Sequence, residues 1–163
     1  MLTVRRTLTI GDNEMRKTAV HAMGLVMLLG AATPALASEE HVVKMLNSGS
    51  DGQFMVFEPS YLEVEPGDTV RFIATDPAHN AQTIPEIWPE GAATFKGEMS
   101  KDVTLKVAKP GVYGVKCLPH YPMGMVALVV AGDPVNADQV EAYDPPSAVV
   151  KQRIDALSGK LPG

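Results

Sequence analysis

Sulfur and nitrogen donors crowd into one short stretch, Cys117-Leu118-Pro119-His120-Tyr121-Pro122-Met123-Gly124-Met125. A further histidine, His79, lies 38 residues before the cysteine. Together they offer one thiolate, two imidazoles and a thioether. Zinc has little use for a thioether, and a chain with 1 cysteine cannot build the usual multi-thiolate zinc sets. Two histidines and a cysteine in a plane, with a weak axial methionine, suit a copper ion that changes oxidation state by one electron. All four positions are then filled by protein, which leaves no open site for a substrate and argues against catalysis.

Each donor alone has an ordinary reading. A free cysteine is commonly a small buried hydrophobe, and methionines commonly fill core gaps. His79 by itself is as readily a loop histidine as a ligand. The joint C-x2-H-x4-M spacing with an upstream histidine is what selects a metal site. Periodicity does not choose between Met123 and Met125, because residues two apart share one face of a strand.

Donors this far apart in sequence need a scaffold that gathers loops at one end. From His41 to Ala131 the chain reads as short strands: 42–46, 55–57, 61–65, 69–74, 103–107, 112–117 and 125–130. Pro66-Gly67-Asp68 and Lys109-Pro110-Gly111 punctuate them as turns. This pattern predicts an all-β sandwich, with residues 83–97 as a long crossing loop around Trp88. The run Met125–Val130 is continuously apolar, as a strand buried on both faces would be. After Gly132 the texture becomes helical, with a short helix near 137–141 capped by Asn136 and a second over 148–157. Val149, Val150, Ile154 and Leu157 are expected to face the sandwich. His41, outside the donor cluster, is expected to face solvent.

Met15-Arg16-Lys17, an apolar run (His21 excepted) over 19–32 and Ala35-Leu36-Ala37 form the charged, apolar and A-x-A parts of a secretory signal peptide. Met15 is the better initiator of that segment, while a start at Met1 would open a longer charged region before it. The apolar run falls short of the roughly 20 residues that span a bilayer. The expected division is therefore 1–37 for export, 38–132 for the sandwich and 133–163 for a helical extension packed on it. Residues after Ala37 carry 10 basic and 17 acidic side chains, a net charge of −7. That balance excludes non-specific nucleic-acid binding. The single cysteine excludes an intrachain disulfide scaffold.

With these motifs in place, the chain resembles the cupredoxins, most closely their pseudoazurin branch. The resemblance rests on Met45-Leu46-Asn47, Met55-Val56-Phe57-Glu58-Pro59, Pro66-Gly67-Asp68-Thr69-Val70, His79-Asn80 and the 117–125 segment, and it includes the helical extension. It implies a Greek-key sandwich of about eight strands, holding one type 1 copper ion through His79, Cys117, His120 and Met125. The Met-Gly-Met match selects Met125 as the axial ligand and leaves Met123 near the surface. It implies that Asn80 ties the two ligand loops together, that Pro119 withholds a backbone donor from the site, and that Met55 lies beside the His120 ring.

The implied function is electron transport as a soluble periplasmic carrier, monomeric and free of the membrane after export. The implied partner is a denitrification enzyme such as copper nitrite reductase, or a cytochrome. Docking would use Pro119, His120, Pro122 and Met123, with Lys96 and Lys116 alongside. Ser48 and Pro77 stand where relatives often carry lysine, so electrostatic steering is expected to be weak. A copper chaperone or storage protein, or a donor to a different periplasmic oxidoreductase, is the alternative. A chaperone would favour exposed, methionine-rich sites instead of an embedded cysteine. A copper enzyme would need a second site, and only His41, His79 and His120 follow residue 37.

Overall fold

The computed structural model describes residues 37–162, so the proposed export segment lies almost wholly outside the described residues. Eight strands and two helices follow in order: β1 Glu40–Ser48, β2 Phe54–Glu58, β3 Tyr61–Val64, β4 Thr69–Ile73, β5 Gln82–Thr83, β6 Val103–Lys106, β7 Gly111–Lys116, β8 Val126–Ala131, α1 Ala137–Glu141 and α2 Ala148–Ser158. They form two four-stranded sheets, ordered β2-β1-β4-β6 and β3-β8-β7-β5. The pairs β1–β4 and β3–β8 are parallel; the others are antiparallel. Seven strands coincide with the strand runs read from the sequence. The eighth, β5, has 2 residues at the edge of the expected crossing loop, too few to show a period.

Alternation places Val43, Met45, Phe57, Val70, Phe72, Leu105, Tyr113, Val115, Ala127 and Val129 between the sheets. Phe72 packs edge-on to Phe57 and stacks on Phe95, while Trp88 meets Tyr113 edge-on at 4.8 Å between centroids. The crossing loop thus carries core side chains of its own. A second apolar cluster lies on the other face of β7 and β8, where Val112, Val126, Leu128 and Val130 meet Val140, Val150, Ile154 and Leu157. Strand β8 is consequently buried at every position, which explains its unbroken apolar run.

Three local expectations are corrected. Val149 is 44% exposed, because a step of about 100° per residue carries it off the face defined by Val150, Ile154 and Leu157. Asn136 occupies the cap position of α1 but makes no capping bond. Its side chain instead accepts from the Val112 amide at 2.7 Å and donates to the Val112 carbonyl at 3.0 Å, tying α1 to β7. His41 is only partly exposed and donates through Nε2 to Asp68 at 2.9 Å. Asp68 also accepts from the amides of Glu39 and Glu65, at 2.8 and 3.0 Å. These backbone bonds and the His41 contact hold its carboxyl down at about 2. Among the described residues, no helix is long and apolar enough to cross a membrane.

Candidate metal centre

The donor-rich stretch leaves β7 at Cys117 and enters β8 at Val126, so a rigid strand anchors each end. Between them, Tyr121–Met123 form one 3-10 turn, and Gly124 reverses the chain with φ of 88°. The loop closes on itself. The Cys117 amide donates to the Met125 carbonyl at 3.1 Å, and the Met123 and Met125 amides both donate to the His120 carbonyl, at 3.0 and 3.2 Å. Three of the four expected ligands therefore share one closed ring of backbone.

His79 comes from the other side, after Ala78 in the left-handed region at φ 67°. Its carbonyl accepts from the Ser100 amide at 2.7 Å, and Ser100 Oγ accepts from the Ala78 amide at 2.9 Å. His79 Nε2 donates to Asn47 Oδ1 at 3.0 Å, which leaves Nδ1 as the lone-pair nitrogen. Asn47 is itself held, its amide donating to Asp76 Oδ2 at 2.6 Å.

His79 Nδ1, His120 Nδ1 and Cys117 Sγ converge. The separations are 3.0 Å between the nitrogens, 3.7 Å from sulfur to His79 and 3.5 Å from sulfur to His120. The centre of such a triangle lies about 2 Å from every corner, matching an imidazole–metal bond of about 2.0–2.1 Å. The lone-pair Nδ1 of His79 thus faces a second imidazole nitrogen with a sulfur beside both, three donor atoms gathered around one point. The donor set therefore fits a soft metal ion.

Met125 is fully buried beside Cys117 in the same cluster, whereas Met123 is 49% exposed. His79 and Cys117 are also fully buried, while His120 keeps part of its ring at the surface. Burial pushes the Cys117 thiol up, opposed by the backbone N–H groups of Asn80 and His120. Burial, and then the neighbouring His120, holds His79 below the ordinary histidine value, with Asp76 opposing, which favours the neutral form that coordinates.

The remaining expected residues divide into near and peripheral positions. Asn80 Oδ1 accepts from the Leu118 amide at 2.8 Å, and its Nδ2 donates to Gly97 O and Gln82 Oε1, both at 3.2 Å. It thereby spans the His79 loop and the cysteine loop. Met55 packs on the cluster that holds Cys117 and Met125. Pro119 and Pro122 are exposed on the loop. Lys96 and Lys116 pair with Gln82 from opposite sides, and the Lys116 ammonium lies 4.8 Å above the Tyr121 ring.

Residues without an assigned role in the sequence also enter the site. Asn47 sets the His79 tautomer, and its only sequence signal is its place beside the Met45-Leu46 run. Leu118 and Phe54 add exposed apolar surface. Arg153, from α2, reaches the loop backbone.

The model for copper binding proteins of the plastocyanin/azurin family matches residues 43–132. Pseudoazurin of Paracoccus pantotrophus is 46% identical over 136 residues, covering 83% of this chain and 92% of that protein. Pseudoazurin of Methylorubrum extorquens is 40% identical over 147 residues, covering 89% and 97%. The crystal structure of native pseudoazurin from Hyphomicrobium denitrificans superposes with a TM-score of 0.73 at 47% identity, covering 76% of this chain and 99% of that one.

Proposed function

The chain belongs to the copper-binding plastocyanin/azurin family, within its pseudoazurin branch, and is an electron carrier; from that premise we propose its ligands, compartment and partner. The ligands are His79 Nδ1, Cys117 Sγ, His120 Nδ1 and the Met125 thioether. The observation that carries this reading is the convergence of three of these donors within 3.0–3.7 Å on two independently anchored loops. Bound copper supplies a one-electron couple between its +1 and +2 states.

The protein's residues supply the rest. Asn47 orients His79, Asn80 holds the two loops in register, and the closed ring from Cys117 to Met125 resists rearrangement between oxidation states. His120, partly exposed, is the contact through which the electron enters and leaves. Around it, Leu118, Pro119, Pro122 and Met123 form an apolar surface suited to a small, quickly released interface.

We place the carrier in the periplasm as a monomer, exported by residues 1–37. The sandwich is 38–132 and the helical extension 133–163. Its proposed acceptor is a denitrification enzyme, copper nitrite reductase, or a cytochrome in the same role. Stopped-flow oxidation of the reduced, copper-loaded protein by copper nitrite reductase tests the partner. Second-order transfer that slows at least roughly tenfold in Met123→Glu supports it, since burying an unpaired charge in the docking surface costs more than 1.4 kcal/mol. Transfer no faster than to an unrelated oxidant, and indifferent to that substitution, overturns it.

A further inference from the structure

Arg153 is the one charged side chain that reaches from α2 into the metal loop. One of its terminal nitrogens donates to the carbonyls of Met55 and Gly124, both at 2.8 Å, and the other donates to Phe54 O at 2.9 Å. A guanidinium is a planar fork whose donors can bond several acceptors at once without changing shape. Here it joins two chain segments, 98 and 29 residues distant from it. Two of the three carbonyls it holds belong to positions in the left-handed region, Met55 and Gly124. Met55 stands in the left-handed region at φ 54°, unusual for a side chain of its size. Gly124, at φ 88°, sits directly before the proposed axial ligand, so its carbonyl belongs to the peptide plane that carries the Met125 amide.

The packing around this contact is tight. A Cβ on Gly124 would meet Arg153 Cδ and Val149 Cγ1, each at 2.9 Å. The helix is held against the loop at a second point, where Ser147 Oγ donates to Pro122 O at 2.9 Å while accepting from the Val150 amide at 3.2 Å. Burial lowers the Arg153 pKa, with Asp51 opposing, but a guanidinium remains charged at any working pH. Nothing about export, copper or partner choice requires a C-terminal helix to grip this peptide.

We propose that Arg153 is a positioning residue for the metal centre: by pinning the Gly124–Met125 peptide and the Met55 turn from α2, it sets how closely the Met125 thioether approaches the metal. The proposal rests on the ligand assignment above and extends it from the loop to the helical extension. The strength of an axial thioether tunes the potential and the visible spectrum of such a centre, so loosening the peptide alters both.

The test compares the wild-type protein with Arg153→Ala and Arg153→Lys, using Lys151→Ala on the same helix as a control. In the metal-free proteins, the readout is amide hydrogen exchange. The expected result is exchange at Gly124 and Met125 faster by roughly tenfold in Arg153→Ala, the size of one lost hydrogen bond. Exchange at Val112 and Val129, deep in the sandwich, is expected to stay unchanged. In the copper(II) proteins, the expected result is a changed ratio of the two thiolate-to-copper absorption bands and a shifted potential. Arg153→Lys, which keeps charge but not the fork, should fall between. If Arg153→Ala does not fold, Arg153→Lys and Arg153→Gln carry the same comparison.

Unchanged loop exchange in a folded variant overturns the proposal. So does faster exchange spread evenly over the sandwich, which would make Arg153 a stabiliser of the whole fold. A wild-type protein with no thiolate-to-copper band contradicts the ligand reading itself and with it the link to copper. Loop-specific exchange changes would then show that the grip exists without a metal to serve.

Discussion

At the scale of single residues, the centre depends on which atoms are free to coordinate. Asn47 fixes the His79 tautomer through a 3.0 Å bond, and burial keeps the Cys117 thiol protonated beyond its ordinary range. Metal must therefore displace that proton. Copper(I) affinity of the metal-free protein is predicted to rise with pH, approaching about tenfold per unit below the thiol pKa. Competition titrations between pH 6 and 9 read this; a pH-independent affinity would mean that the thiol is not a ligand. Pro119 contributes by what it lacks, since it carries no backbone N–H. Pro119→Ala is predicted to raise the reduction potential by about 60 mV or less, the worth of one hydrogen bond at 59 mV per tenfold. Voltammetry that finds an unchanged or lower potential would contradict this role.

These residues differ in how far the sequence discloses them. Cys117 and His120 lie within one loop, so their spacing is visible directly, whereas Met125 is chosen over Met123 only through the Met-Gly-Met match. His79 is connected to them only through the sandwich topology. Asn47 and Arg153 act on a ring nitrogen and on backbone carbonyls 32, 29 and 98 residues away, and such partners leave no periodic trace.

At the scale of elements, two β-strands and one helix hold the metal loop. Gly124 is where α2 presses on the loop: its left-handed φ and the 2.9 Å approaches of Arg153 and Val149 exclude a side chain. Gly124→Ala is predicted to cost about 2–3 kcal/mol, combining a left-handed penalty of about 1–2 kcal/mol with overpacking. Urea unfolding of the metal-free protein measures it, and a loss below about 0.5 kcal/mol would show that α2 yields easily. Ile154 is buried in the cluster between α2 and β8, and Ile154→Ala is predicted to cost about 2–5 kcal/mol by the same measurement. The helix face was largely legible from 3.6-residue spacing, with Val149 as the exception. Strand β5 was not, since 2 residues carry no alternation.

At the scale of the molecule, charge shapes both folding and encounter. Asp68 ties β1 to the turn before β4, and its carboxyl is held at about 2 against an ordinary 3.8. A depressed carboxyl contributes stability that is full above pH 3.8 and is lost as pH falls towards 2. Thermal melts from pH 6 to 2 should show Asp68→Asn less stable at neutral pH but flatter across that window. Parallel curves for the two proteins would contradict the linkage. The net charge of −7 after Ala37, with Lys96 and Lys116 as the basic residues named beside the proposed docking surface, leaves a weak basic rim. Transfer rates with a redox partner are accordingly predicted to change by less than about threefold between low and physiological salt. A steep fall with salt would reveal a concentrated basic patch.

The central claim is that Cys117, with two histidines and Met125, binds copper as a one-electron centre. Visible absorption and electron paramagnetic resonance of the protein with stoichiometric copper(II), repeated on Cys117→Ser, test it most directly. Intense blue or green absorption with narrow copper hyperfine splitting, absent from the variant, is the predicted result. Weak, ordinary copper spectra that are identical in the two proteins would contradict the account and leave the cysteine as core.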